Sequence, residues 1–181
     1  MNTHGTLAHR LSGPIAVLAL LWCTDRPAHA TAPSGVTFTV LNRATVREFD
    51  ARRRFRDSRD EPTQQPQSLI WKIELEATRM IDVVTVLFTV QSGGHSGWHT
   101  HPGPALFTVS AGTLTMYEGA DPSCTPQVFP TGTGSIEADT GDHIHLLRNE
   151  TGTVAQTIVT FLVPVGAQIR TDLPDPGNCP F

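Results

Sequence analysis

The sequence predicts an all-β fold, an antiparallel sandwich or barrel, preceded by a separate N-terminal segment. From residue 68 onwards, short alternating or β-branched stretches recur, and Gly, Pro, Asp or Thr stands in nearly every gap between them. No segment of this half carries the 3.6-residue apolar stripe of an amphipathic helix. Removing the first 30 of 181 residues leaves 151, enough for one domain with a well-buried core. Many short strands in one such domain indicate a sandwich or a barrel.

The segment 1–30 has the layout of a secretory signal peptide. Arg10 precedes the apolar run IAVLALLWC, residues 15–23, and the small residues Ala28 and Ala30 follow at a typical cleavage spacing. A membrane anchor is the alternative, but the run has about half of the roughly 20 apolar residues that a span requires. We therefore expect cleavage after Ala30, a secreted or periplasmic protein, and no membrane association after cleavage.

The charge pattern excludes nucleic acid as a predicted partner. Residues 1–30 hold two of the 13 Lys and Arg residues and one of the 17 Asp and Glu residues, so the remaining chain carries a net charge of −5. The basic run 52–56 is interleaved with Asp50, Asp57 and Asp60. Such a segment neutralises itself and is typical of a solvated surface rather than a phosphate-binding patch.

Two cysteines remain if the leader is removed. Cleavage takes away Cys23 and leaves Cys124 in the loop DPSCTP and Cys179 in the tail PDPGNCPF. In an exported chain this pair predicts one disulfide, with two free thiols as the alternative. A loop of about 55 residues closed in this way would stabilise the fold by roughly 4 kcal/mol in the chain-entropy model.

The predicted strands divide the chain into four parts. We expect a leader at 1–30, an N-terminal part at 31–67 that consists of a strand at 36–41 and a polar arm, a barrel at 68–165 and a tethered tail at 166–181. The polar stretch 42–67 favours a long loop with a short helical turn near residues 45–55. Ser110-Ala111-Gly112, between two strands, indicates a tight hairpin. The barrel strands are predicted at 69–77, 80–91, 105–109, 113–118, 127–130, 135–138, 143–149 and 153–165.

The histidines cluster in one region of the expected barrel. All five that follow the leader lie between positions 95 and 145. Residues two apart on a strand point the same way, so His99 and His101 form one pair and His143 and His145 form another. Two facing pairs predict a metal site, since imidazole suits divalent Fe, Mn, Zn, Cu or Ni. The alternative is a set of surface or hydrogen-bonded core histidines.

The residues around the first pair have different expected positions. The Gly-rich stretch 93–97 predicts a mobile lip that carries His95 as a bystander. Trp98 alternates away from the pair and is expected to pack elsewhere. Phe107 and Val109 would form an apolar wall around the ion if no bulge lies between them and the histidines.

Two motifs in this region resemble those of the cupin superfamily, over roughly residues 68–165. The first consists of Gly93, five residues, His99-Thr100-His101 and, further on, Gly112. The second reads Asp139-Thr140-Gly141, three residues, His145, three residues and Asn149. The words GWHTHPGP, SAGTLTMYEG, HLLRNET and NCPF look like a small exported bacterial subgroup. The resemblance implies a cupin-type β-barrel and metal ligation by His99, His101 and His145.

The chain departs from the family pattern in two places. The acidic position of the first motif holds Ala105 or Leu106, so the usual set of three histidines and one glutamate is incomplete. In the second motif Asp139 replaces a proline, and one extra residue precedes His145. His143 enters only through the strand-parity argument, as a fourth ligand or as a residue behind the ligands. A three-histidine site completed by water fits both observations.

The resemblance leaves two classes of function open. As an enzyme, the protein would be a metal-dependent, dioxygenase-like oxidoreductase acting on a small molecule. As a binding module, it would hold or sense a small ligand, with or without the metal. Family analogy points to a homodimer, although the residues themselves leave the oligomeric state open.

Overall fold

The computed structural model describes residues 30–56, 69–138 and 143–181, and in these ranges every regular element is a strand. The all-β, antiparallel barrel predicted from the sequence is confirmed. In chain order the strands are β1 (Ser34–Val46), β2 (Phe49–Arg56), β3 (Leu69–Ala77), β4 (Ile81–His95), β5 (His99–Thr100), β6 (Ala105–Ala111), β7 (Thr113–Glu118), β8 (Gln127–Pro130), β9 (Gly134–Glu137), β10 (His145–Arg148), β11 (Ala155–Pro164) and β12 (Thr171–Asp172).

Ten strands form one antiparallel sheet that folds into a nearly closed barrel with two faces. The first face has the order β1-β4-β11-β6-β9, and the second has the order β12-β5-β10-β7-β8. A single pairing between Arg148 and His95 joins β10 to β4 and connects the two faces. The interior between the faces is therefore reached by side chains from both.

The core between the faces is built from alternating strand positions. Along β4, Val84, Val86, Phe88 and Val90 are each at most 3% exposed, while the residues between them are only partly buried. Burying each such side chain stabilises the fold by about 1.5–3 kcal/mol. Further strands contribute Ala105, Phe107, Val109, Leu114, Met116, Leu147, Ala155, Val159, Phe161 and Val163 to the same cluster.

A second, smaller cluster lies apart from the main core. Trp98 is 1% exposed and packs with Tyr117, Leu146 and Cys179. The disulfide between Cys124 and Cys179, predicted from the cysteine count, is confirmed, with the two Cα atoms 5.2 Å apart. The C-terminal tail is thereby fixed to the loop after β7. Trp98 packs away from the histidine pair, as its strand parity predicts.

The hairpin predicted at Gly112 was wrong. Within the described residues β6 pairs with β11 and β9, whereas β7 pairs with β10 and β8, so these consecutive strands do not pair with each other. One connecting residue is shorter than the two-residue loop of a tight hairpin. Gly112 has φ +70, and a Cβ there would lie 2.7 Å from the carbonyl oxygen of Val154. The turn instead carries the chain from one face of the barrel to the other.

The helical turn expected near residues 45–55 was also wrong. β1 extends to Val46, and β2 pairs with β3 in a separate two-stranded sheet. Opposite charges support this ribbon, with Arg52 contacting Asp50 at 2.8 Å and Glu76 at 3.0 Å. A polar, charged stretch favours a loop when it is judged from sequence alone. Cross-strand charge pairs are nevertheless a normal feature of an exposed ribbon. Residues 57–68 lie outside the described ranges.

The Gly-rich stretch predicted as a mobile lip is ordered strand as far as His95. The backbone N–H of Gly93 donates to the Asn149 carbonyl, and the N–H of Asn149 donates to the Gly94 carbonyl, both at 2.9 Å. The stretch up to His95 is a strand rather than the expected loop, because these glycines allow close packing. At Gly97, with φ +71, a Cβ would overlap the carbonyl oxygen of Thr31.

Some expectations concern residues that the structure does not describe. The leader at 1–30, apart from Ala30 itself, and Cys23 within it lie outside the described residues, as do Asp139-Thr140-Gly141 of the second motif. In the described ranges, no helix has the length and apolar character needed to cross a membrane.

Candidate metal centre

The three histidines of the two motifs come together inside the barrel. His99 lies in β5, His101 is the first residue after that strand, and His145 is the first residue of β10. Antiparallel pairing sets His145 directly opposite His99. Their side chains project to the same side because opposite residues of paired strands share a face. His101 lies two residues beyond His99, and its ring lies beside the rings of His99 and His145.

This His99–His101–His145 group is compact and buried. One nitrogen from each ring lies within 4.8 Å of the others. The ring centroids of His99 and His101 are 4.8 Å apart, those of His99 and His145 are 4.4 Å apart, and those of His101 and His145 are 5.1 Å apart. The residues are 4%, 4% and 0% exposed, respectively. The described residues therefore hold three imidazole nitrogens at a spacing that one ion can bridge.

Backbone carbonyls determine which ring nitrogen His99 and His101 can offer to a metal ion. Nδ1 of His99 lies 2.8 Å from the Gly97 oxygen, and Nδ1 of His101 lies 2.7 Å from the Ile169 oxygen. A carbonyl oxygen only accepts, so each Nδ1 carries the hydrogen and donates it. The lone pair is then on Nε2. Metal-binding histidines usually donate their second ring nitrogen in this way.

Glu137 adds a carboxylate that the sequence analysis missed. It ends β9 on the opposite face of the barrel, and its side chain is 4% exposed. Its Oε2 lies 3.5 Å from Nε2 of His101 and 3.4 Å from Nε2 of His145. A carboxylate oxygen and two imidazole nitrogens that point at one another form a donor set for a cation.

The position of Glu137 accounts for the missing acid of the first motif. Ala105, at the motif position, pairs directly with Glu137 across β6 and β9. The carboxylate thus comes from the neighbouring strand at the same level of the sheet. Strand alternation alone does not predict this position of Glu137, because the apolar Ile136 would be expected to point inward. In the structure, Ile136 is 68% exposed and Glu137 is 5% exposed. The burial of an acid beside an exposed isoleucine was the signal, and only the structure reveals it.

Burial keeps His99 in the form that binds metal. The pKa of His99 is well below its usual 6.5, first because burial penalises the charged imidazolium and then because of the nearby charges of His145, Arg170 and His101. The neutral imidazole that results at neutral pH is the form that ligates a metal ion.

His143 and His95 are not among the three histidines whose nitrogens converge, although the ring centroid of His143 lies 5.1 Å from that of His145. Nε2 of His143 contacts the Glu118 carboxylate, and the side chain of His143 is 36% exposed. The parity argument for His143 required an extended strand from 143, but β10 begins only at His145. His95 accepts a hydrogen bond on Nδ1 from the Gly97 N–H at 3.2 Å. Its position agrees with the expectation that it is a bystander.

A small, mostly apolar cavity of about 30 Å³ adjoins the histidines and Glu137. Phe107 lines it, as expected, while Val109 is buried in the core without lining the cavity. Among the described residues that line it, the ionisable ones are the three histidines, Glu137 and Arg170. The other walls include Phe38, Phe88, Leu147, Val159, Phe161 and Ile169.

The donor set fits a divalent transition metal. Three neutral imidazoles suit Fe, Mn, Zn, Cu or Ni, and the Glu137 carboxylate supplies a harder oxygen ligand and one negative charge. Three or four protein ligands leave coordination positions open for water or a small molecule, as in catalytic rather than structural sites.

Comparisons with known proteins find likeness in structure but not in sequence. No protein-family model and no curated protein matches the chain. The chain is similar in fold to cupin and double-stranded β-helix proteins. A double-stranded β-helix protein from Klebsiella pneumoniae shares 17% identity over 51% of this chain and 70% of its own, with a TM-score of 0.42. A cupin superfamily protein from Desulfitobacterium hafniense shares 13% over 50% of this chain and 72% of its own, with a TM-score of 0.39.

An oxalate oxidase solved in complex with glycolate is a third similar structure. It shares 21% identity over 44% of this chain, with a TM-score of 0.38. The matched region spans 41% of the oxalate oxidase chain, which is less than half of that protein. At identities of 13–21%, these likenesses concern the fold and say nothing of the function.

Proposed function

We propose that this chain is an exported member of the cupin superfamily that binds a divalent transition metal inside its barrel. The ligands are His99, His101 and His145, and Glu137 is the fourth. The observation that carries the proposal is the convergence of three buried imidazole rings, each of which has a hydrogen bond of its own. The buried Glu137 carboxylate lies 3.4 Å from Nε2 of His145. The motif resemblance supports the same three histidines.

The residues of the chain hold and tune the ion in distinct ways. The carbonyls of Gly97 and Ile169 orient two of the rings by accepting from Nδ1. Glu137 would neutralise part of the ion's charge in a cavity whose walls are mostly apolar. When bound, a divalent ion supplies Lewis acidity to a small molecule at its open positions. The apolar walls limit the water that can compete for these positions.

Export is supported by two features. The segment 1–30 has the charge, apolar run and small residues of a cleavable leader. The disulfide between Cys124 and Cys179 is of a kind that persists in oxidising compartments. We therefore propose a secreted or periplasmic protein that is cleaved after Ala30.

Two roles are consistent with such a centre. In the first, the protein is a metal-dependent oxidoreductase of dioxygenase type with a small-molecule substrate. In the second, it binds a small ligand without turning it over. The cavity favours the second role in one respect, since its described lining offers no ionisable group beyond the metal set and Arg170. A general base separate from the ion is therefore lacking among these residues.

Metal analysis tests the centre. Untagged protein is expected to contain or take up about one equivalent of Fe, Mn, Zn, Cu or Ni, and His101→Ala is expected to abolish this uptake. His143→Ala serves as the matched control and should lower occupancy much less, because its side chain contacts Glu118 outside the histidine group. Elemental analysis by mass spectrometry measures both. A wild-type protein that takes up none of the five metals contradicts the proposal.

A second experiment separates the two roles. Oxygen consumption by Fe(II)-loaded protein is measured with a panel of small diketones, thiols, phenols and carboxylates. Turnover of any of them that His101→Ala abolishes establishes the enzyme. Tight binding of a panel member without turnover establishes the binding module.

A further inference from the structure

We infer that the cavity binds a small carboxylate and that the Arg170 guanidinium holds it beside the metal centre. The inference rests on the proposed function, which it extends to the chemical class of the ligand. Arg170 lies just before β12 and lines the same cavity as the three histidines and Glu137. Neither sequence motif includes it.

Arg170 is buried at an unusual place for a cation. Its side chain is 14% exposed, and burial lowers the pKa of the guanidinium below its usual value while the carboxylate of Asp172 raises it. The Asp172 carboxylate compensates the charge of Arg170, so the excess positive charge in the cavity would come from the bound ion.

The protein uses only part of the hydrogen-bonding capacity of Arg170. Nε donates to Oδ1 of Asp172 at 2.8 Å, and Nη2 donates to the same carboxylate and, at 2.8 Å, to the carbonyl oxygen of Ser96. Nη1 is buried, and no described residue accepts a hydrogen bond from it. A guanidinium has five N–H donors, two of them on Nη1. Buried donors of a charged group are costly to leave unused, so this nitrogen is suited to an acceptor on a ligand.

The charges around the cavity favour an anion over a neutral ligand. A divalent ion with three neutral histidines and one glutamate has a net charge of about +1, while Arg170 and Asp172 balance each other. The remaining described walls of the cavity are apolar or, at Ser96, neutral. One carboxylate would cancel the excess charge. It would also present two oxygens, one for the ion and one for the guanidinium.

The size of the cavity limits the ligand to a few heavy atoms. One water-sized group needs about 10–15 Å³ in this measure, so a cavity of about 30 Å³ holds two or three such groups. Acetate, whose four non-hydrogen atoms are bonded to one another, lies at the upper limit of this size. The aromatic and aliphatic walls provide contacts for a short carbon chain but no partner for a second distant charge.

Calorimetric titration of acetate into Mn²⁺-loaded protein tests the inference, with uncharged acetamide as the matched probe. Mn²⁺ is chosen because it favours six ligands, so that four protein ligands leave positions open for acetate. Acetate is expected to bind at least about tenfold more tightly than acetamide. Arg170→Gln should weaken acetate binding by about tenfold or more while leaving metal content unchanged. Arg148→Gln is the control, since Arg148 stacks on Phe181 and does not line the cavity, and it should bind acetate like the wild type.

Three results overturn the inference: no acetate binding by the wild type, equal binding of acetate and acetamide, or unchanged acetate affinity in Arg170→Gln. If that variant does not fold, Arg170→Lys replaces it. Lysine keeps the charge but loses the planar fork, so acetate binding should weaken while the preference over acetamide persists. Unchanged affinity in this variant also overturns the inference.

Metal analysis of the same samples separates this inference from the proposed function. Protein that takes up no metal contradicts the proposed metal centre. The acetate titration then tests the metal-free protein. A preference for acetate that depends on Arg170 in this form supports the anion site alone. Metal-loaded protein that is indifferent to acetate contradicts the anion site and leaves the metal centre standing.

Discussion

Single residues decide how tightly the site can hold an ion, and Glu137 matters most among those that the motifs do not include. We expect Glu137→Gln to lower metal affinity by about ten- to a hundredfold, because the amide keeps the shape and loses the charge. Competition with a chromophoric chelator measures the affinity. Glu118→Gln is the matched control, since Glu118 contacts His143 outside the histidine group. Equal affinities in wild type and Glu137→Gln would exclude Glu137 as a ligand.

A relocated carboxylate gives a sharper test of the same residue. Ala105 lies directly opposite Glu137 in the sheet, so its side chain projects to the same side. The double variant Ala105→Glu, Glu137→Ala moves the acid to the motif position. We expect it to recover part of the affinity that Glu137→Ala loses, as measured by the same chelator competition. No recovery in a folded double variant would mean that the two positions are not equivalent.

The lowered pKa of His99 predicts a pH dependence of stability. In the unfolded chain the imidazole takes up a proton near pH 6.5, whereas the folded protein resists protonation well below that value. The unfolded state then binds more protons, so the free energy of unfolding falls as the pH drops below about 6.5. Thermal unfolding of metal-free protein between about pH 7.5 and pH 5 measures this.

The matching variant identifies the residue responsible for this pH dependence. His99→Gln removes the titrating group and should make the unfolding temperature depend less on pH. His143→Gln, outside the histidine group, should leave the slope as it is in the wild type. A slope that is the same in wild type and His99→Gln would assign the pH dependence to other groups.

At the scale of elements, the site depends on strands that are adjacent in space and distant in sequence. β5 and β10 face each other through the pairing of His99 with His145, while β9 reaches the site from the other face of the barrel. Gly112 makes this arrangement possible, because the chain crosses there between the faces instead of folding back as a hairpin. The two motifs meet for this reason.

The disulfide is an element-level constraint with a predicted energy. It joins Cys124 and Cys179 across 55 residues, and in the chain-entropy model its loss costs about 4 kcal/mol. The double variant Cys124→Ser, Cys179→Ser should unfold at lower urea concentration by a corresponding amount. Metal content should be unchanged, because the disulfide packs in the Trp98 cluster and not in the cavity. Identical urea midpoints would show that the tail is held without the bond.

At the scale of the whole molecule, metal binding and folding are linked. The proposed ligands come from three strands on two faces, so they form one site only in the folded state. Metal at about one hundred times its Kd should therefore stabilise the protein by about 2.7 kcal/mol. For a chain of this size the unfolding temperature would rise by roughly 5–10 °C.

Calorimetric or fluorescence-monitored unfolding at several metal concentrations measures this linkage. The rise should disappear on addition of a chelator and should be absent in His101→Ala. A rise of the same size in His101→Ala would place metal binding elsewhere on the protein.

The sequence by itself determined the all-β class, the disulfide and the histidine pair at 99 and 101. These features are local or depend on a count. Strand alternation records which residues share a face, and two residues of spacing are enough to align His99 with His101. The cysteine pair follows because only two remain after residue 30. Each inference required no knowledge of how distant strands pair.

Only the tertiary structure decided that Glu137 faces the histidines, that His143 is not one of the converging three and that Arg170 lines the cavity. Glu137 follows Ile136, and local pattern favours the isoleucine as the inward residue; the pairing of β9 with β6 reverses this. His143 lies outside the histidine group because β10 begins two residues later than the pattern indicates. Arg170 reaches the cavity from the residue just before β12, the last strand of the barrel. Strand registry across the barrel determines the positions of Glu137, His143 and Arg170. Registry depends on contacts between segments that are distant in the sequence, and local periodicity carries no information about those contacts.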